Sequence, residues 1–223
     1  MSDVTRIPTL LVCWVLISFS PTAYTESNTI LVYGDSISAA YGMEEDQGWA
    51  SLLADRIEAA ELPYRVVNAS VSGETTGGGL VRLPRALEVH QPSLVVLELG
   101  GNDGLRGYPI DKIRENLDAM TRMSMSAGAD VLLIGMVLPP NYGRRYIEAF
   151  TNIFSTVADT HDIPLIPVLL DGIATEESLI QRDGIHPTPE AQPMIVEQVW
   201  PVLEGMLENL EEVELQGRVV GDE

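Results

Sequence analysis

From residue 29 onward the chain repeats one pattern: a short apolar run of strand length, a polar loop, then apolar residues at helical spacing. TILVY (29–33) ends at Gly34, and Trp49, Leu52, Leu53, Ile57 and Ala60 then mark one face of a helix. Residues 65–68 form a second short run. The VSGETTGGG stretch after it reads as a loop whose glycines permit positive φ and close backbone approach. LVVLEL (94–99) is a buried-strand run that stops at Gly100 and Gly101, and Ile110, Ile113, Leu117 and Met120 share a face of the following helix. A fourth run covers 131–134, a helix carries Tyr146, Phe150, Ile153, Phe154 and Val157, and a fifth run lies within 165–170. The last helix begins near Thr188 and runs toward Leu210. Pro193 falls in its first turn, where a missing N–H is tolerated, whereas Pro201 is expected to kink or break it.

Alternation of this kind implies a parallel sheet covered by helices on both faces, connected by right-handed crossovers. The expected fold is α/β: a three-layer α/β/α sandwich built on a flavodoxin-like five-stranded parallel sheet of order 2-1-3-4-5. With 223 residues, 45% of them hydrophobic and 21% charged, one domain with a substantial core is expected. Its boundaries are read as 26–210, preceded by a secretory signal at 1–25 and followed by an acidic tail at 211–223.

The signal reading rests on Arg6, the apolar run LLVCWVLI (10–17) and the small polar residues after it. That run is far shorter than the ~20 residues needed to span a bilayer. Cys13, the chain's one cysteine, lies inside this segment, so a processed protein has no disulfide, cysteine nucleophile or cysteine-based metal site. A periplasmic or secreted protein with no stable membrane anchor is the expectation. Acidic residues number 33 against 13 basic ones, of which only Lys112 is a lysine, for a net charge of -20. Such a field repels nucleic acid and anionic headgroups, which argues against polyanion partners.

In an open α/β sheet, ligands bind beyond the carboxyl ends of the strands, where strand order reverses. For order 2-1-3-4-5 the loops after the first three strands meet there: GDSIS (34–38), SVSGET (70–75) and GGND (100–103). Ser36 follows the first strand by two residues. A serine there equally suits a helix cap, so a nucleophilic role needs a base nearby. His90 and His161 each fall between a helix and the next strand, at the opposite end of the sheet. His186, in QRDGIHPTPE, follows the fifth strand and so lies on the crevice side. Asp183, three residues earlier, could hold its imidazole, although both also suit a turn. Asn102, after two glycines, could aim its amide into the crevice, with the backbone N–H groups of Ser36 and Gly73 as partner donors for an oxyanion. One histidine and scattered carboxylates make no zinc spacing, and neither metal nor organic cofactor is expected.

GDSIS, SGET, GGND and DGIHP, in that order, resemble the four blocks of the GDSL, or SGNH, hydrolase superfamily. VVNASVSGET, LVRLP, HQPSLVVLELGGNDGLRG, LPPNYGRRY and DGIHPTPEAQP resemble most its bacterial periplasmic branch of thioesterase, arylesterase and lysophospholipase enzymes. The similarity spans residues 30–199. The resemblance implies a nucleophile at Ser36, a base at His186, Asp183 as third member, and an oxyanion hole from Ser36, Gly73 and Asn102. It also places Leu138, Pro139 and Tyr142 beside the acyl pocket. Small acyl esters or thioesters are the implied partners, with a monomer expected. A carbohydrate acetylesterase is the enzymatic alternative, since fold does not fix substrate, and a non-catalytic exported binding domain is the reading from another class.

Overall fold

A computed structural model describes residues 28–221, and beyond residue 210 the description here is confined to the backbone. The expected signal segment therefore lies outside the described residues. Five parallel strands form one sheet: β1 (Asn28–Gly34), β2 (Tyr64–Asn68), β3 (Leu94–Glu98), β4 (Asp130–Ile134) and β5 (Leu165–Ile166), in the order β2-β1-β3-β4-β5. The helices are α1 (Trp49–Ala59), α2 (Thr76–His90), α3 (Gly101–Leu105), α4 (Ile110–Ser126), α5 (Arg144–His161) and α6 (Gln192–Gly221).

Strand period sorts β1 between two cores. Ile30 and Val32 join Trp49, Leu53 and Ile57 of α1 and Ile195, Val199 and Leu203 of α6 on one face of the sheet. Leu31 and Tyr33 join Leu83 of α2, Leu117 of α4 and Phe150 and Phe154 of α5 on the other. With both faces covered, the middle strands need no polar alternation, and all five residues of β3 are buried. The three-layer arrangement and the strand order are those expected.

Three local expectations are revised. The glycine triplet 77–79 is not loop but the first turn of α2, because Thr75 caps it by accepting from the Gly78 N–H at 3.2 Å. Gly79 is needed there for space, since a Cβ would lie 2.5 Å from Leu99 Cδ1. GGND likewise winds into the one-turn helix α3 instead of remaining a loop. Pro201 neither ends nor interrupts α6. Its side is exposed, while Val199, Trp200, Leu203, Met206 and Leu207 are buried on the sheet side, and that burial outweighs one missing hydrogen bond.

Pro201 still withholds a backbone hydrogen bond that alanine would restore without loss of the buried face. Pro201→Ala is expected to stabilise the fold by about 1–3 kcal/mol, the helix-interior penalty less the unfolded-state entropy that proline removes. Urea unfolding should show a raised midpoint at unchanged m; a lowered midpoint would mean that the helix packs through a bend that proline supplies.

Candidate active site

The switch point lies where β1 sits between β2 and β3, and the loops after those strands converge there with the segment before α6. Together they line a crevice of about 230 Å³ whose walls include Ser36, Tyr41, Gly73, Asn102, Leu105 and His186. The chain leaves β1 at Gly34 into a tight turn, in which Ala39 N–H donates to the Asp35 carbonyl and Tyr41 N–H to the Ser36 carbonyl. This turn presents Ser36 toward the crevice. It does not cap a helix, since α1 begins only at Trp49, after Gly48.

Ser36 Oγ and His186 Nε2 are 2.8 Å apart, and His186 Nδ1 and Asp183 Oδ2 are 2.7 Å apart. With the ring proton on Nδ1, His186 donates to Asp183 and accepts from the Ser36 hydroxyl. The other Asp183 oxygen accepts from the backbone N–H groups of Ile185 (2.9 Å) and His186 (3.0 Å), which winds the DGIH segment around its carboxylate. Burial works against this charge, but the hydrogen bonds from His186 and Ile185 outweigh it and hold the Asp183 carboxyl down to about 2.

Donors converge on the same crevice. Among the described residues, neither the Ser36 N–H nor the Gly73 N–H donates to another protein group, and Gly73 holds a φ of +80° that an L side chain would strain. Asn102 donates one amide proton to Asp35 Oδ2 at 3.0 Å, which leaves the second free. The sequence-derived candidates Ser36, Gly73, Asn102, Asp183 and His186 are thus brought together. Leu138, Pro139 and Tyr142 are not among the crevice walls. Leu138 is buried in the core, Pro139 is exposed, and Tyr142 donates its hydroxyl to the Leu105 carbonyl at 2.8 Å. Tyr142 faces a second groove of about 530 Å³, lined also by Ile110, Tyr146 and Ala149, behind the Leu105 segment. His161 instead pairs with Asp118 of α4 at 2.7 Å.

Several further groups shape this site without a role that the sequence motifs imply. Glu98, the last residue of β3, is fully buried; its Oε2 accepts from Ser38 Oγ (2.7 Å) and the Asp35 N–H (3.3 Å). Its Oε1 has no partner among the described residues. Burial, and then the nearby Asp35 charge, push the Glu98 carboxyl well above the carboxylate range. Burial also pushes Asp35 up to about 6, against hydrogen bonds from the Ile37 N–H and the Asn102 amide. Asp103 is buried too and accepts from Thr76 N–H (2.8 Å) and Thr76 Oγ1 (2.6 Å), which locks α3 to the start of α2. A glutamate closing the otherwise apolar LVVLE run was the one legible signal among these.

A hydroxyl, an imidazole and a carboxylate in series, beside convergent N–H donors, is the arrangement of serine hydrolases. The chain belongs to the GDSL-like lipase/acylhydrolase family, whose pattern it matches over residues 32–192. It is 49% identical over 186 residues to the esterase TesA of Pseudomonas aeruginosa, covering 83% of this chain and 92% of that one. It is 42% identical over 183 residues to thioesterase 1/protease 1/lysophospholipase L1 of Escherichia coli K12, covering 82% and 85%. The crystal structure of the psychrotrophic esterase EstA from Pseudoalteromonas sp., inhibited by monoethylphosphonate, superposes with a TM-score of 0.78 at 41% identity, covering 81% and 99%.

The buried carboxyl makes stability depend on pH. Glu98 binds its proton more tightly folded than unfolded, so its contribution is intact below the ordinary glutamate value and is lost as pH rises through the folded value. Glu98→Gln removes this loss. Its melting temperature relative to the parent protein should therefore climb as pH rises above the ordinary glutamate value of about 4.3. A difference that stays flat across that range would show Glu98 to be ionised in the folded protein as well as in the unfolded chain.

Proposed function

We propose that this chain hydrolyses carboxylic esters and thioesters of acyl substrates through an acyl-enzyme on Ser36. The 2.8 Å approach of Ser36 Oγ to an imidazole held by Asp183 at 2.7 Å carries the reading. His186 Nε2 takes the hydroxyl proton as Oγ attacks the acyl carbonyl, and Asp183 stabilises the imidazolium. The oxyanion accepts from the Ser36 and Gly73 N–H groups and from the free proton of Asn102. Collapse expels the alcohol or thiol, which takes the proton from His186. Water, deprotonated by the same nitrogen, then attacks the acyl-enzyme, and the acid leaves as Ser36 regains its proton.

The crevice alone is smaller than most ligand pockets and holds little more than the reacting group. Medium and longer acyl chains pass Leu105 toward the groove lined by Ile110, Tyr142, Tyr146 and Ala149 together with Arg144 and Arg145, a route supported by the groove's largely apolar exposed surface. The relative named for thioesterase and lysophospholipase activity favours the same substrate class. An acetylesterase is the alternative that the small crevice favours. We also propose that the enzyme works as a monomer outside the cytoplasm, its first 25 residues serving as export signal. Among the described residues no helix is long and apolar enough to cross a membrane.

Hydrolysis of p-nitrophenyl esters from acetate to palmitate, by the protein and by Ser36→Ala, tests the reading. Activity that peaks beyond acetate and disappears in the variant is expected; activity on acetate alone moves the assignment to the acetylesterase, and none on any ester overturns it. Asn102→Ala is expected to lower kcat by about 10²–10³ with folding intact, the effect of losing one oxyanion donor. Unchanged kcat there would remove Asn102 from the oxyanion hole.

A further inference from the structure

Ser36 and His186 come from opposite ends of the chain, 150 residues apart. The hydrogen bond between them breaks and reforms in every turnover, so it cannot itself set the register of the two loops. A second set of contacts does so. The turn that begins at Asp35 closes at Tyr41, whose N–H donates to the Ser36 carbonyl at 3.1 Å. The Tyr41 carbonyl in turn accepts from Gln181 Nε2 at 2.8 Å. The backbone N–H of Gln181 donates to the His186 carbonyl at 2.7 Å, and its Nε2 also donates to the Pro187 carbonyl at 3.0 Å. Ser36, Tyr41, Gln181 and His186 are therefore joined in a closed ring of hydrogen bonds, and the reacting Ser36–His186 pair is its final member. Over that pair the Tyr41 ring lies tilted on the imidazole, with centroids 4.4 Å apart.

We propose that Gln181 is a positioning residue for ester hydrolysis: its side-chain amide ties the Tyr41 end of the Ser36 turn to the His186 loop and thereby sets the imidazole against Ser36 Oγ. The proposal rests on the reading of Ser36 as nucleophile and His186 as base. The chemistry required at position 181 is a double donor, because Nε2 faces two carbonyl oxygens, one from each loop. The His186 loop has its own bracing, through the Thr188 N–H to the Leu179 carbonyl at 2.8 Å and the Ile180–Pro187 bridge. Loss of the Gln181 amide therefore leaves each loop folded and frees one to shift against the other. A shift of about 1 Å between catalytic groups is enough to cost about a hundredfold in rate.

Gln181→Glu is the informative variant. It keeps the bulk and the backbone bond to His186, but sets a carboxylate against two carbonyl oxygens. Gln181→Ala removes both side-chain bonds without the repulsion. Steady-state hydrolysis of p-nitrophenyl butyrate at neutral pH, with melting temperatures for each variant and Ser36→Ala alongside, decides the matter. The expected result is a fall in kcat of about tenfold to a hundredfold in both variants, larger for Glu, with KM nearly unchanged. Three outcomes overturn the proposal: kcat retained in both variants, a raised KM at parental kcat (which makes Gln181 a substrate contact), or losses that track melting temperature. Where a variant lowers the melting temperature, kcat is read well below that variant's midpoint, on folded protein. If Ser36→Ala is inactive while the Gln181 variants turn over normally, only the positioning role fails. If Ser36→Ala turns over like the parent, the acyl-enzyme reading fails and takes this one with it.

Discussion

The close approach at the end of β1 governs this structure. Gly34 pairs in register with Glu98 of β3, and a Cβ on Gly34 would lie 2.5 Å from Glu98 Oε2 and 2.7 Å from Ser38 Oγ. With no side chain at 34, the backbone can fold directly over a buried carboxyl. That carboxyl collects the Asp35 N–H and the Ser38 hydroxyl, groups that would otherwise be buried without acceptors. The turn so fixed is anchored from β2 as well, by Asn68 Nδ2 on the Ser38 carbonyl at 2.8 Å and by Ser70 Oγ, which accepts the Gly34 N–H at 3.0 Å. Ser36 is left half-buried in this turn, at the place where strand order reverses, with its Oγ within 2.8 Å of His186 Nε2.

Three carboxyls surround the reacting atoms, and their surroundings set them apart. Asp183 is partly exposed and receives three hydrogen bonds from its own loop, so its charge persists far below neutral pH. Glu98 is enclosed, with one oxygen unpartnered and Asp35 as neighbour, and it favours the neutral form. Asp35 lies between these extremes: its two oxygens accept from Ile37 and Asn102, which lowers the cost of a charge that burial opposes. This graded arrangement matters for acyl transfer. A full complement of buried negative charge beneath Ser36 would oppose the developing oxyanion, whereas a carboxylate on the far side of the imidazole favours the imidazolium that forms with it.

The sequence made the scaffold legible because its strands are short, apolar and separated by regular helical faces, and topology then selected the loops that meet. Ser36, Gly73, Asn102, Asp183 and His186 could be named because each lies in a connection that leaves the carboxyl end of a strand, and the side of the sheet on which those connections meet follows from strand order. Other features depended on tertiary distance. The glycines at 77–79 look like loop until Leu99, Met120 and Tyr33 are seen crowding Gly79. Pro201 looks like a helix end until the buried face around it is counted. Tyr41 and Gln181 lie outside the recognisable blocks' core positions, and only the folded chain brings residues 140 apart in sequence into one hydrogen bond.

The division of labour between the two ends of the crevice follows from how each is held. The groups that would touch the reacting carbonyl sit on strand ends and are locked by buried polar contacts: Glu98 beneath the Ser36 turn, and Asp103 between α2 and α3. The wall that an acyl chain would follow is held more loosely. The Tyr142 and Tyr146 hydroxyls grip the 105–108 backbone through its carbonyls at 2.8 Å each, and no side chain of that loop takes part in those bonds. The Arg106 side chain does reach the site, since it donates to the Gly73 carbonyl at 3.3 Å, and Leu105 is itself a crevice wall beside Asn102. On the proposed route an acyl chain would leave the reaction centre past Leu105 and meet a wall whose backbone is fixed by Tyr142 and Tyr146, so the length of chain accepted would depend on the side chains beyond Leu105, such as Ile110, and not on the hydrolytic groups.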